Sequence, residues 1–150
     1  MNLHNSKNLI EIPDLSKCQN IESINLESCK SLVKVPPYFQ CLDKLNSLNL
    51  RGCSNLKHLP ELSKNMKVLN LSGTDIEELP SWIWSMEELV LLDLSFCKSL
   101  KSFPTSPCKL NSLKFPSLDG CFSLDKFLEL PTSICKLKSL TWLDFSRCSC

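Results

Sequence analysis

Six nine-residue segments share one apolar skeleton along the chain. They are IESINLESC (Ile21 to Cys29), LNSLNLRGC (Leu45 to Cys53), MKVLNLSGT (Met66 to Thr74), LVLLDLSFC (Leu89 to Cys97), LKFPSLDGC (Leu113 to Cys121) and LTWLDFSRC (Leu140 to Cys148). The shared pattern is LxxLxLxx(C/T), with apolar and polar residues alternating before the Cys or Thr. A unit this short cannot enclose its own apolar residues and buries them only against its neighbours. The chain is therefore constrained to a stacked solenoid with one broad face. Such a face suits binding better than catalysis.

The alternating leucines, for example Leu48 with Leu50 and Leu92 with Leu94, mark a short strand with one buried side. Every connection returns on the same side, so successive strands should pair in parallel. The pattern predicts strands near 23–27, 47–51, 67–72, 90–95 and 141–146, with a weaker strand near 115–119. There Pro116 stands in place of the central Leu and has no N–H to give to a ladder. Leu26, Leu50, Leu71, Leu94, Leu118 and Phe145 should stack as one buried column. Beyond each strand, a second apolar pair ends at Pro in LVKVP, LKHLP, IEELP, LKSFP and, after a longer step, LELP. Segments such as SWIWSMEEL then suit helical or irregular turns on the opposite, convex side.

Repeat starts at residues 21, 45, 66, 89, 113 and 140 give steps of 24, 21, 23, 24 and 27. The uneven steps describe an adapted repeat set. A partial repeat, 1–20, precedes the first full one, since Leu3 aligns with Leu26. The chain stops just after a strand, at Cys148–Ser149–Cys150. Without polar capping units at either end, the sequence reads as one domain cut from a longer solenoid.

Net charge is +1, from 17 basic and 16 acidic residues, which gives no pull toward nucleic acid or an anionic membrane. No apolar run approaches the roughly 18–20 residues that span a bilayer. The start, MNLHNSKNLIEIP, lacks the basic opening and apolar core of a secretory signal. The ten cysteines follow the repeat: Cys29, Cys53, Cys97, Cys121 and Cys148 occupy the slot after the strand. Cys18, Cys41, Cys108 and Cys135 precede the next repeat by three to five residues. Periodic placement indicates structural thiols acting as small hydrophobes, kept reduced in an intracellular compartment.

Two longer stretches carry a resemblance to a known family. MNLHNSKNLIEIPDLSKCQNIESINLESCKSLVKVP resembles the start of the repeat region in plant intracellular immune receptors of the TIR–nucleotide-binding–leucine-rich-repeat class. LNLSGTDIEELPSWIWSMEELVLLDLSFCKSLKSFP is similar to the middle of that region, where GTxIxxLP alternates with GC(S/K)xLxxLP. The resemblance implies an α/β repeat fold: a right-handed leucine-rich-repeat solenoid with a curved parallel sheet on its concave face. It implies a non-catalytic protein-interaction module, cytoplasmic or nuclear, that contributes to effector recognition and autoinhibition in the defence response. The implied partner is a protein, either a pathogen effector or the receptor's own nucleotide-binding switch domain. No cofactor, nucleic acid or membrane is implied, and the fragment is expected to be a monomer. Two alternatives remain: a truncated free-standing regulator or decoy competing with the full receptor, and a non-functional gene fragment.

The residues offer little for chemistry. No GxxxxGK(S/T) phosphate loop is present; Gly52, Gly73 and Gly120 each sit beside the Cys/Thr slot. His4 and His58 fall in return segments with no nucleophile context. Cys148 and Cys150 form a CxC with no second close pair to complete a zinc site. Glu77–Glu78 and Glu87–Glu88 read as solvated turn rims. No catalytic, cofactor or metal residues are expected, and the chain is not read as an enzyme.

Specificity should lie in the positions between the strand leucines, which point away from the core. The first such column runs Ser23, Ser47, Val68, Leu91, Phe115 and Trp142, turning apolar toward the C-terminal end. The next runs Asn25, Asn49, Asn70, Asp93, Ser117 and Asp144, and the third Glu27, Arg51, Ser72, Ser95, Asp119 and Ser146. The polar columns either bind or only solubilise the sheet. The candidate partner-binding residues are Val68, Leu91, Phe96, Phe115, Trp142, Arg51, Asp93 and Asp144. The apolar ones should form a stripe, unless residues 128–130 fold over it or it faces a further domain.

Overall fold

A computed structural model describes residues 1–102, 109–123, 139, 141 and 146. Five three-residue strands form one parallel sheet in chain order: β1 (Ser23–Asn25), β2 (Ser47–Asn49), β3 (Val68–Asn70), β4 (Leu91–Asp93) and β5 (Phe115–Ser117). Equivalent positions pair throughout, so Ile24, Leu48, Leu69, Leu92 and Pro116 lie side by side. The partial repeat joins in the same register. The Met1 amino group donates to the Ser23 carbonyl at 2.7 Å and the Leu3 amide to Asn25 at 2.8 Å. This is the leucine-rich-repeat solenoid that the pattern required.

The core is a set of columns. Ile24, Leu48, Leu69 and Leu92 form one; Leu26, Leu50, Leu71, Leu94 and Leu118 form the next, all buried. Return segments close the core from the other side through Phe39, Leu62, Ile83 and Trp84. Two of them contain a single 3₁₀ turn, Pro37–Cys41 and Ser81–Ser85, each entered from a Pro or at a Pro. Proline's fixed φ suits such a first turn, where its missing N–H is not needed. Tyr38 ties neighbouring repeats: its hydroxyl accepts from the Leu15 amide at 3.0 Å and donates to the Pro13 carbonyl at 2.8 Å.

The strands are shorter than the alternation predicts. The Asn/Asp column is the cause. The side-chain oxygens of Asn25, Asn49, Asn70 and Asp93 each accept the amide of the residue two further on, at 2.9–3.0 Å. This local side-chain turn draws the backbone out of strand geometry.

Pro116 does not prevent β5 from pairing with β4. Phe115–Ser117 pairs with Leu91–Asp93 in full register. Alternate amides of a parallel strand point to opposite neighbours. Position 116 shares the parity of Gly120, whose amide donates forward to Ser146 at 2.8 Å. The missing N–H therefore faces the following repeat, and only the Phe115 amide is drawn out, to 3.4 Å from Val90.

The Cys/Thr slot supplies a second ladder. Each described ladder thiol donates to a carbonyl of the preceding repeat: Cys29 to Leu3, Cys53 to Leu26, Cys97 to Leu71 and Cys121 to Leu94, at 3.1–3.2 Å. All four are buried free thiols, while Cys18 and Cys41 are exposed. Cys108, Cys135, Cys148, Cys150 and Phe145 lie outside the described residues.

Two predictions follow from this packing. Leu71 is fully buried, so Leu71→Ala should lower unfolding free energy by about 2–5 kcal/mol, read from urea midpoints. The second concerns alkali. Burial pushes the Cys53 thiol up to about 12, from an ordinary 9.0, and raises Cys97 as well. In the unfolded chain these thiols ionise first, so the folded state's advantage is complete below pH 9.0 and is lost as pH climbs toward about 12. Urea midpoints should fall above that lower limit, and Cys53→Thr should flatten part of the fall.

Candidate functional site: the open face of the sheet

The parallel register turns the first outward column into a contiguous surface. Val68 pairs with Leu91 and Leu91 with Phe115, and neighbouring strands lie about 4.8 Å apart. Three apolar side chains thus adjoin across β3, β4 and β5. Val68 is 37% and Phe115 46% exposed, with Leu91 half-buried between them. The same column on β1 and β2 holds Ser23 and Ser47, so the face divides into a polar half and an apolar half. Trp142 and Asp144 lie outside the described residues, as do residues 128–130.

The polar candidates are differently employed. Asp93 Oδ1 accepts both the amide and the hydroxyl of Ser95, at 2.9 and 2.6 Å. The Ser95 hydroxyl also meets Ser117 Oγ at 2.7 Å. Asp93 is therefore built into the turn that ends β4. Arg51 is exposed and lies 3.8 Å from the Glu27 carboxylate; such an open pair adds little stability and stays free to meet a partner. The sequence signal for this division was available, since Asn and Asp favour turns in which the side chain holds the backbone two residues on.

Phe96 occupies an unexpected conformation. The residue before each ladder position adopts a left-handed φ, at Ser28 (60°), Gly52 (70°), Gly73 (67°), Phe96 (59°) and Gly120 (70°). A bulky side chain is disfavoured there, yet Phe96 stands where three neighbours have glycine. Its ring is 41% exposed and lies over Gly120. A Cβ on Gly120 would come within 2.7 Å of Phe96 Cδ1. Gly120 thus supplies both the left-handed turn and the space for the ring.

Elsewhere the described part of the face carries no cluster of reactive side chains. His4 is exposed, its ring nitrogen 3.1 Å from Asn2 Oδ1, and His58 is exposed as well. Among the described residues, no group of three His, Cys, Asp or Glu is placed to hold a metal, and no helix is long and apolar enough to cross a membrane. A groove of about 420 Å³ opens at the strand entrances between Glu22, Lys44, Lys67 and Glu88. Its exposed, mixed-charge walls lack the apolar lining of a small-molecule pocket. Glu77 is more than a solvated rim. Its carboxylate accepts from Lys101 Nζ at 2.7 Å, a contact that holds Glu77 below and Lys101 above their ordinary titration ranges.

The Phe96–Gly120 contact predicts non-additive stability. Gly120→Ala should destabilise by about 1–3 kcal/mol, from the left-handed φ and the steric overlap together. In a Phe96→Gly background the overlap disappears, so the same change should cost measurably less. A double-mutant cycle on urea midpoints checks this; equal costs in both backgrounds would refute the packing.

Comparison with known proteins agrees with this architecture. A family model described as Leucine Rich Repeat matches residues 65–86. Disease resistance protein RPS4B of Arabidopsis thaliana is 38% identical over 130 residues, covering 87% of this chain and 11% of that protein. Protein SUPPRESSOR OF npr1-1, CONSTITUTIVE 1 of Arabidopsis thaliana is 38% identical over 140 residues, covering 78% and 10% respectively. Disease resistance protein RPS6 of the same plant is 34% identical over 121 residues, covering 80% and 11%. The chain thus spans about a tenth of the length of the curated relatives it matches. The leucine-rich repeat domain of the type III effector XCV3220 (XopL) aligns over 89% of this chain and 64% of its own, at 21% identity and a TM-score of 0.49. With its ladder of short parallel strands and its 34–38% identity to these plant proteins, the chain is a leucine-rich-repeat segment related to plant disease-resistance proteins of the TIR–nucleotide-binding–leucine-rich-repeat class.

Proposed function

We propose that this segment is a non-catalytic protein-interaction module of an intracellular plant immune receptor. Its open sheet face takes part in recognising a pathogen effector or in holding the receptor's nucleotide-binding switch domain at rest. The observation that carries this reading is the register Val68–Leu91–Phe115, which makes one exposed apolar stripe out of residues far apart in sequence. Soluble proteins seldom leave such a patch uncovered without use, and binding energy concentrates on aromatic and large apolar anchors. Arg51, on the polar half, supplies an exposed cation, loosely paired with Glu27, for the rim of the contact. Trp142 and Asp144 continue their columns in the sequence.

The cytoplasmic or nuclear setting fits the ladder thiols. Cys29, Cys53, Cys97 and Cys121 act as S–H donors, a role open only to reduced cysteine. A reducing compartment keeps them so.

The test uses the full-length protein that carries this segment. Leu91→Ser with Phe115→Ser should weaken partner binding about tenfold or more, as expected for loss of central anchors. Loss of the effector-triggered response alone identifies a recognition surface, and activity without effector identifies an autoinhibitory one. A double variant that accumulates normally, with both behaviours unchanged, overturns the assignment.

A further inference from the structure

Among the described residues the thiol ladder has one break, with ladder cysteines on both sides of it. Four ladder cysteines send their S–H back to the preceding repeat, so each ties two repeats together. Thr74 does not. Its hydroxyl turns to the Leu71 carbonyl of its own repeat at 2.7 Å. Leu71 O thereby collects the Thr74 amide, the Thr74 hydroxyl and the Cys97 thiol. Among the described residues, the Leu50 carbonyl, which a cysteine at position 74 would reach, accepts only the Cys53 amide.

Two further observations fall on the same joint, between the repeats starting at Leu45 and Met66. The return segment of the Leu45 repeat contains no 3₁₀ turn, whereas those before and after it do. It buries Leu59 and Leu62. The ion pairs across this joint are the open contacts of Lys57 with Asp75 and Glu77, at 3.7 and 4.0 Å, and at the strand entrance Asn65 Nδ2 donates to the Asp43 carbonyl at 2.7 Å. Exposed pairs at that distance hold little. The backbone ladder continues across, through Leu50 to Asn70, Gly52 to Ser72, and Lys67 and Val68 to Asn46.

Stability in a solenoid is close to a sum over repeats and their nearest-neighbour joints, so the weakest joint decides where the stack opens. We infer that the joint between the Leu45 and Met66 repeats is the built-in opening point of this solenoid, set by Thr74. The break lies between Ser47 and Val68, the boundary between the polar and apolar halves of the sheet face. A partner spanning that boundary would close the joint, while one held by the stripe alone would leave it free.

Amide hydrogen exchange on the native chain, resolved to single residues in mild urea, tests this without any partner. Solenoid ends fray, so protection normally declines from the middle outward. Here the Leu50, Gly52, Lys67 and Val68 amides should exchange faster than their equivalents on both sides. Those are Leu26, Ser28, Asn46 and Ser47 before the joint and Leu71, Gly73, Val90 and Leu91 after it. Thr74→Cys should restore the missing donor and slow the four joint amides by up to about fivefold, the range of one net hydrogen bond. In the Thr74→Cys background, Cys97→Thr should move the weakness one joint onward, to the Leu71 group. Protection that peaks across the joint, or a Thr74→Cys protein with unchanged exchange there, would overturn the inference.

Discussion

Everything in this molecule depends on neighbouring repeats sharing one register. A nine-residue strand-and-turn unit has too few side chains to enclose a core. Leu48 and Leu50 leave water only because Ile24 and Leu26 stand on one side and Leu69 and Leu71 on the other. Equivalent pairing holds these columns in line from Met1 to Ser117. A slip of one residue would turn every Leu to the open face, so the hydrophobic effect itself selects the register.

The same register determines what the open face can present. Side chains separated by 23 and 24 residues in sequence, such as Val68, Leu91 and Phe115, become immediate neighbours. Surface chemistry can then change column by column without disturbing the core, because outward positions contribute nothing to the leucine stack. The Asn/Asp column shows the limit of that freedom. Its side chains also face outward, but the backbone uses them to end each strand. Asp93 therefore serves the turn first, whereas Val68 and Phe115 have no comparable local task.

Small departures from the repeat concentrate where local geometry permits them. Phe96 accepts a left-handed φ that glycine would adopt at less cost, and Gly120 leaves room for its ring. Thr74 keeps the slot filled but turns its donor inward, because a branched hydroxyl reaches the nearer Leu71 carbonyl. Pro116 is tolerated because its missing N–H falls on the side away from β4. In each case the backbone ladder is retained and only one side-chain function changes.

Much of the fold was legible in the sequence. The LxxLxL alternation dictates parallel strands and buried columns, and periodic cysteines dictate structural thiols, since both follow from repetition alone. The adjacency of Val68, Leu91 and Phe115 was legible too, because an outward column follows directly from strand alternation. Other features required the assembled stack. Strand length was decided by Asn and Asp oxygens that compete with the ladder only once the turn has formed. That Pro116 leaves the pairing with β4 in register depends on which neighbour its nitrogen faces, a matter of strand parity in three dimensions. The direction of each ladder donor, back to the preceding repeat for Cys53 but inward for Thr74, depends on carbonyls 27 and three residues away. Repetition in sequence determines which residues are equivalent; only the packed repeats decide which of those equivalents find the same partner.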